Sequence, residues 1–343
     1  MQQLSIHKIG NKLQDELYTL SNHQLEVKDE TLNNILLQYF LSPFEKVNER
    51  YKFYHPTNEL KLNEVFHFAG LMFNDVENFQ DNSRQVAKHL YDISNHPKIK
   101  SGELYVARFA NVQLDGEVFD AMGIFKSETK ETYLKVEKEE SDFILKYEEQ
   151  AINIKKLDKG CLIFNTKQDE GYMVAVIDQT NRSQEAVYWI DDFLKLKIIN
   201  DDYTQTNNAL HIYKAFVTQG LDDEMDVPKT DKIDLLNRSM KYFKEKDNFD
   251  LDEFASEVIV NPVGVESFKK FKSQYEQEYD TPVADSFQIN NAAVKKQARV
   301  YKSVLKLDRN FHIYIHGNND LIEKGFDEHS GKHYYKIYFD KEM

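Results

Sequence analysis

The chain has 343 residues, 30% of them charged and 41% hydrophobic, a balance that supplies a core and excludes wholesale disorder. No apolar run reaches the ~18 residues of a membrane span, and the single cysteine excludes an internal disulfide. The net charge of −14 argues against indiscriminate adhesion to DNA or anionic lipid, so the distribution of charge matters more than its sum.

Single cores stop growing near ~250–300 residues, so two domains are expected. The opening MQQLSIHKIGNKLQDE lacks a basic start followed by an apolar segment, which predicts a cytoplasmic protein. Residues 4–9 and 16–27 read as short strands. A helix follows over about 30–40, with Leu32, Ile35, Leu36 and Phe40 at helical spacing and Ser42-Pro43 at its end. Helical patterns over 59–74 and 80–94 come next, the second with Val86, Leu90 and Ile93 on one stripe.

The stretch Glu103–Glu128 is the predicted centre of the fold. Two runs rich in Val, Phe, Ile and Tyr flank Asp115-Gly116, and a tight hairpin turn needs the positive φ that this pair tolerates. On the first run Leu104 and Val106 share one parity while Tyr105, Ala107 and Phe109 share the other, so both faces of the hairpin are predicted to be covered. Further strands over 131–137, 142–147, 160–166 and 171–178 extend an antiparallel meander. Cys161, set in CLIFN, reads as a buried small hydrophobe, and Trp189 as core.

A helix over 204–218 precedes QGLDDEMDVPKTDK, an acidic segment with little apolar surface for docking. The expected division is an α+β domain over 1–220 with a central antiparallel sheet, an acidic linker over 221–232, and a helical domain over 233–343 that ends in a small antiparallel sheet. In the latter, Ile233, Leu236, Met240 and Phe243 mark one helix, and Asp250 with Glu253 forms a capping box for the next. After Asn261-Pro262-Val263-Gly264, a third helix carries Phe268, Phe271 and Tyr275 inward, and Lys269, Lys270 and Lys272 on its expected solvent side. The pair of helices across that break also has the outline of a helix-turn-helix, although helical hairpins are commoner as plain packing.

Charge is segregated. Residues 286–316 carry Lys295, Lys296, Arg299, Lys302, Lys306 and Arg309 against Asp308 alone, a local balance of +5 that leaves −19 on the remainder. A cationic strip on an anionic body suits contact with a polyanion along one face; the alternative is a solvated surface that pairs with carboxylates of the same chain. In the closing strands His312, Tyr314 and His316, and Tyr334, Lys336 and Tyr338, alternate with apolar residues. Such a surface can stack bases or dock a protein, or lie beneath a helix. His312, His316, His329 and His333 lack the carboxylate or thiol partners of a familiar metal site. No P-loop, Rossmann glycine pattern, Gly-x-Ser-x-Gly or His-Glu-x-x-His occurs, so no catalytic, cofactor or metal residues are assigned. Acidic groups such as Asp191-Asp192 read as a helix cap ahead of a hydrolase's carboxylate pair.

Several stretches in order, LSIHKI, HLYDISNHPKIKSGELYVARF, MGIFKSE, GYMVAVIDQTNRSQEAVYWIDDFL, VIVNPVGVESFKKF and FHIYIHG, resemble the NdpA-like bacterial nucleoid-associated proteins nearly end to end. That resemblance implies a non-enzymatic, cytoplasmic protein on the chromosome, binding double-stranded DNA without a cofactor or membrane. It transfers no residue-level site. The expected DNA-binding set is therefore the strip of Lys295, Lys296, Arg299, Lys302, Lys306 and Arg309, with Lys269, Lys270 and Lys272. The alternative is a scaffold whose C-terminal sheet recruits a chromosome-bound protein, with DNA association indirect; self-association is compatible with either.

Overall fold

The computed structural model describes residues 1–114, 116–179, 188–221, 227–279, 281–298, 301, 304–307, 311–314 and 321–341. The chain divides into two compact units, Met1–Ile199 and Asn200–Met343. This division falls ahead of the segment 221–232 that composition marks as a linker, of which 222–226 lie outside the described residues.

Unit 1 is built on an antiparallel sheet. In chain order its elements are β1 (Gln3–Ile9), β2 (Thr19–Leu20), α1 (Glu30–Leu41), β3 (Tyr51–Phe53), α2 (Glu64–Asn74), α3 (Phe79–Ile93), β4 (Gly102–Leu114), β5 (Glu117–Ser127), β6 (Glu131–Glu139), β7 (Asp142–Ala151), β8 (Lys159–Phe164), β9 (Met173–Asp178) and β10 (Leu196–Ile198). Strands run in the order β10-β3-β9-β8-β5-β4-β1-β2, with the β4–β5 hairpin near the middle. Gly116 supplies the positive φ of the turn, at +89°. The two parities of β4 go to opposite cores, as expected. Leu104 and Val106 join Phe66 and Met72 of α2 and Val86 and Leu90 of α3, together with Trp189. Tyr105, Ala107 and Phe109 join Tyr39 and Phe40 of α1 on the other face, where Phe40 stacks on Phe125 at 4.4 Å between ring centres. Burial of both faces makes this hairpin a near-continuous apolar run.

Two departures have physical causes. The strand expected over 16–27 shrinks to Thr19–Leu20, because the Asn11 carboxamide turns the chain: it accepts from Leu13 N–H and donates to the carbonyls of His96 and Ile99. The meander is also interrupted. β6 and β7 pair only with each other and leave the sheet, so that β8 lies directly against β5. Cys161 is fully buried on β8, and burial pushes its thiol pKa up.

Unit 2 contains α4 (Asp202–Ala215), α5 (Lys229–Glu245), β11 (Asn248–Asp250), α6 (Leu251–Phe254), α7 (Pro262–Tyr279), β12 (Ser286–Gln288), α8 (Asn291–Ala298), β13 (Val304–Leu307), β14 (Phe311–Tyr314), β15 (Ile322–Asp327) and β16 (Lys332–Ile337). Leu210, Tyr213 and Phe216, the stripe predicted for the 204–218 helix, pack among Met240, Phe243, Phe254 and Phe268, so α4 is part of this unit's core. Asp250 caps α6 through the N–H groups of Asp252 and Glu253. Glu253 does not return the bond: its carboxylate takes Tyr242 and Lys246 instead, which makes the expected capping box half of one. The closing strands pair as two separate antiparallel ladders, β13–β14 and β15–β16. No helix among the described residues is long and apolar enough to cross a membrane.

Candidate nucleic-acid interface

The strip begins on α8, which is held at its start and along one face. Asn290 accepts from the N–H groups of Ala292 and Ala293, while its own N–H donates to the Thr206 hydroxyl of α4. Ala293, Val294 and Gln297 form the buried face, and the Gln297 amide donates to Asn207 Oδ1 at 2.6 Å. That orientation leaves Lys295 and Lys296 exposed in the last turn, where cations are also favoured by the helix dipole. The Lys296 ammonium lies 5.7 Å from the centre of the Tyr203 ring, a cation–π arrangement that steadies it.

The three lysines of α7 part ways. Lys270 is exposed. Lys269 is ion-paired with Asp252 at 2.6 Å, which raises its pKa. Lys272 is not on the solvent side at all. It is 9% exposed, donates to the Val283 carbonyl at 2.9 Å, and pairs with Glu276 at 2.8 Å and Asp285 at 3.5 Å. Four residues separate it from buried Phe268, so the two share a face of the helix, and its apolar stem is buried with that face. Lys269 and Lys272 line a cleft whose other charged members are Asp250, Asp252, Glu276 and Asp285; carboxylates outnumber ammonium groups there, which disfavours a phosphate.

The first turn of α7 offers Pro262, Val263, Gly264 and Val265, none of which carries a side-chain donor for a base edge. Arg299, Lys302 and Arg309 lie outside the described residues. Lys306 is on β13, where the register sets it opposite His312 of β14. The structure thus brings Lys295 and Lys296 together, sets Lys272 aside and neutralises Lys269 locally.

Two cations escaped the sequence reading. Lys241 and Lys244 are exposed on α5, three residues apart, and α5 packs directly on α8. The signal was partial: the apolar stripe used to define this helix assigns Lys241 to its outer face, while Lys244 follows Met240 by four residues and is exposed in the last turn. Among the described residues no group of His, Cys, Asp and Glu could hold a metal ion. His333 instead lies beside Phe326, 5.0 Å between ring centres.

Comparison with protein families places this α+β chain among the nucleoid-associated proteins. Residues 5–330 match the family described as nucleoid-associated protein YejK, and the chain belongs to that family. Its place is therefore the cytoplasmic nucleoid. A search of curated proteins gave no match.

Proposed function

We propose that the protein binds duplex DNA without catalysis, through phosphate contacts from the cations of its second unit: Lys295 and Lys296 of α8, joined by Lys241 and Lys244 of α5, by Lys270, and by Arg299, Lys302, Lys306 and Arg309 of the same charge block. The carrying observation is the local orientation of α8. One side is pinned to α4 and the other holds two adjacent exposed lysines, in a +5 block on a chain whose remainder is −19. The acidic remainder is repelled by DNA, so the encounter is oriented and the contact is salt-sensitive. Family membership supports the partner; the charge distribution supports the route.

The test is a salt titration of the purified protein on a duplex DNA column. The slope of log affinity against log salt falls by about 0.9 for every phosphate that the protein no longer engages. Reversing Lys295, Lys296, Arg299 and Lys302 to Glu is expected to abolish retention at low salt with unchanged circular dichroism. Retention equal to wild type refutes the assignment.

The scaffold reading draws on a different observation. Phe326, Tyr334, Tyr338 and Phe339, on and just after β15–β16, are 44–71% exposed, which suits a protein partner. Co-purification of a chromosome-bound protein that survives nuclease treatment, together with wild-type retention of that protein by the charge-reversed variant, supports this reading over direct contact.

A further inference from the structure

The β6–β7 hairpin stands apart from the rest of unit 1. It leaves the eight-stranded sheet as a two-stranded ladder, an arrangement that is marginally stable in water by itself. Its faces differ sharply. Register pairs Leu134 with Tyr147, Val136 with Leu145 and Lys138 with Phe143. On that face Leu134, Val136, Phe143, Leu145 and Tyr147 are 64–73% exposed. The opposite face is more polar: Glu137 holds Lys135 and Lys146, each at 2.5 Å, beside Ile144 and Tyr133. At the root, Glu131 receives the amine of Lys156 at 2.6 Å and the amide of Asn153 at 3.0 Å, which ties the arm to the chain leaving it.

We infer that the apolar face of this arm is a self-association surface that takes a second copy of the same chain, arm against arm in antiparallel sense about a two-fold axis. Area is the first argument. Five side chains of this size at this exposure present roughly 600 Å² of apolar surface, the upper end of what monomers leave in one patch. Face-to-face packing of two arms buries roughly 1,200 Å² in total, the lower end of the range for stable interfaces.

Self-complementarity is the second argument. The charged residues nearest its two ends are Lys138 at the tip and, at the root, Glu149, two residues beyond Tyr147 where the ladder shifts register by one residue. A two-fold axis between the Leu134–Tyr147 and Val136–Leu145 levels superposes tip on root, which sets Lys138 within side-chain reach of Glu149 of the second copy, twice per dimer. The two central apolar levels then meet each other, as an isologous contact requires, and Phe143 at each tip covers the root of the second copy. This inference does not depend on DNA binding, and its readout is mass.

Sedimentation equilibrium of the full chain at micromolar concentration is expected to give twice the 40.5 kDa of one copy. Val136→Glu with Leu145→Glu changes only exposed side chains and is expected to give single copies with unchanged circular dichroism. Lys138→Glu alone should weaken the dimer about tenfold through its two symmetric pairs, and adding Glu149→Lys should restore it. A monomeric wild type, or a dimer that survives Val136→Glu with Leu145→Glu, overturns the inference; failure of the charge swap to restore association overturns the antiparallel register.

Discussion

His7 Nε2 lies 3.1 Å from the Ser83 hydroxyl, inside the layer between β1 and α3, and the surrounding bonds determine which nitrogen carries the proton. Nδ1 accepts the backbone N–H of Ser21 at 3.2 Å, so it is bare; Ser83 donates its own proton to the Gln80 carbonyl at 2.7 Å, so its oxygen is free to accept from Nε2–H. The ring is therefore neutral, and a second proton on Nδ1 would confront the Ser21 N–H. Burial, then the nearby Arg84 charge, lowers the His7 pKa to about 4.

The sign of the pH dependence is set by that downward shift. The unfolded chain takes up a proton near its ordinary pKa of about 6.5 and the folded chain resists until about 4, so His7 contributes stability above 6.5 that is lost as pH falls towards 4. At ~1.4 kcal/mol per pKa unit the full loss is about 3 kcal/mol. Urea unfolding at pH 8, 6 and 4 should show wild type losing that much more than His7→Gln. Parallel losses in the two proteins would rule out His7 as the source.

Lys126 and Glu128, two residues apart at the end of β5, form an ion pair at 2.9 Å with side chains 0% and 3% exposed. The Lys126 amine also donates to the Lys100 carbonyl at 2.6 Å, and the Tyr188 hydroxyl donates to Glu128 at 2.9 Å. Removing one charge strands the other, which for buried pairs costs about 3–5 kcal/mol, whereas removing both costs less. Lys126→Met is thus expected to be strongly destabilising, and Lys126→Met with Glu128→Met to recover a measurable part of the loss. A double-mutant cycle from urea midpoints checks this; strictly additive losses would show that the pair is not coupled.

Much of unit 1 was legible because its pattern is local. The Asp115-Gly116 signal and the two apolar parities of β4 need no distant information, and they led to the centre of the sheet and to both cores. The departure of β6 and β7 was not legible from alternation alone, since alternation specifies a strand without its neighbours. Leu134 and Val136 do share a parity on one strand, as Leu145 and Tyr147 do on the next, but this looks the same whether the face is covered or bare. At the candidate interface, charge density along the chain marked α8, while the inward fate of Lys272 depends on Val283 and Asp285, which tertiary contact brings to it. The i, i+4 series Phe268, Lys272, Glu276 was the available clue.

Gly171 stands at φ +107°, and a Cβ there would lie 2.4 Å from the Phe53 carbonyl oxygen, an atom of the backbone that cannot rotate away. β3 is anchored at this point, because Phe53 N–H donates to the Gly171 carbonyl at 2.9 Å. Gly171→Ala therefore combines an unfavourable backbone conformation with a clash. It is expected to lower stability by about 2–4 kcal/mol, read as a fall in the urea midpoint. Gly116→Ala also faces positive φ but meets nothing within 4 Å, so its cost should stay near 1 kcal/mol. Equal losses at the two positions would show that the Phe53 contact is unimportant.

Lys272 and Lys295 separate structural from DNA-directed charge. Lys272→Met retains the apolar stem but abandons three partners, Val283, Glu276 and Asp285, and leaves a partly buried carboxylate at Glu276. A loss of about 2–4 kcal/mol in stability is expected, with the salt slope of DNA retention unchanged at temperatures where the variant is folded. Lys295→Met removes an exposed charge on the outer face of α8 and is expected to leave stability within about 0.5 kcal/mol while lowering the slope by about one. The two measurements on two variants form a crossed design. A slope that drops for Lys272→Met and holds for Lys295→Met would transfer the DNA contact from α8 to the α7 cleft, despite the excess of carboxylates there.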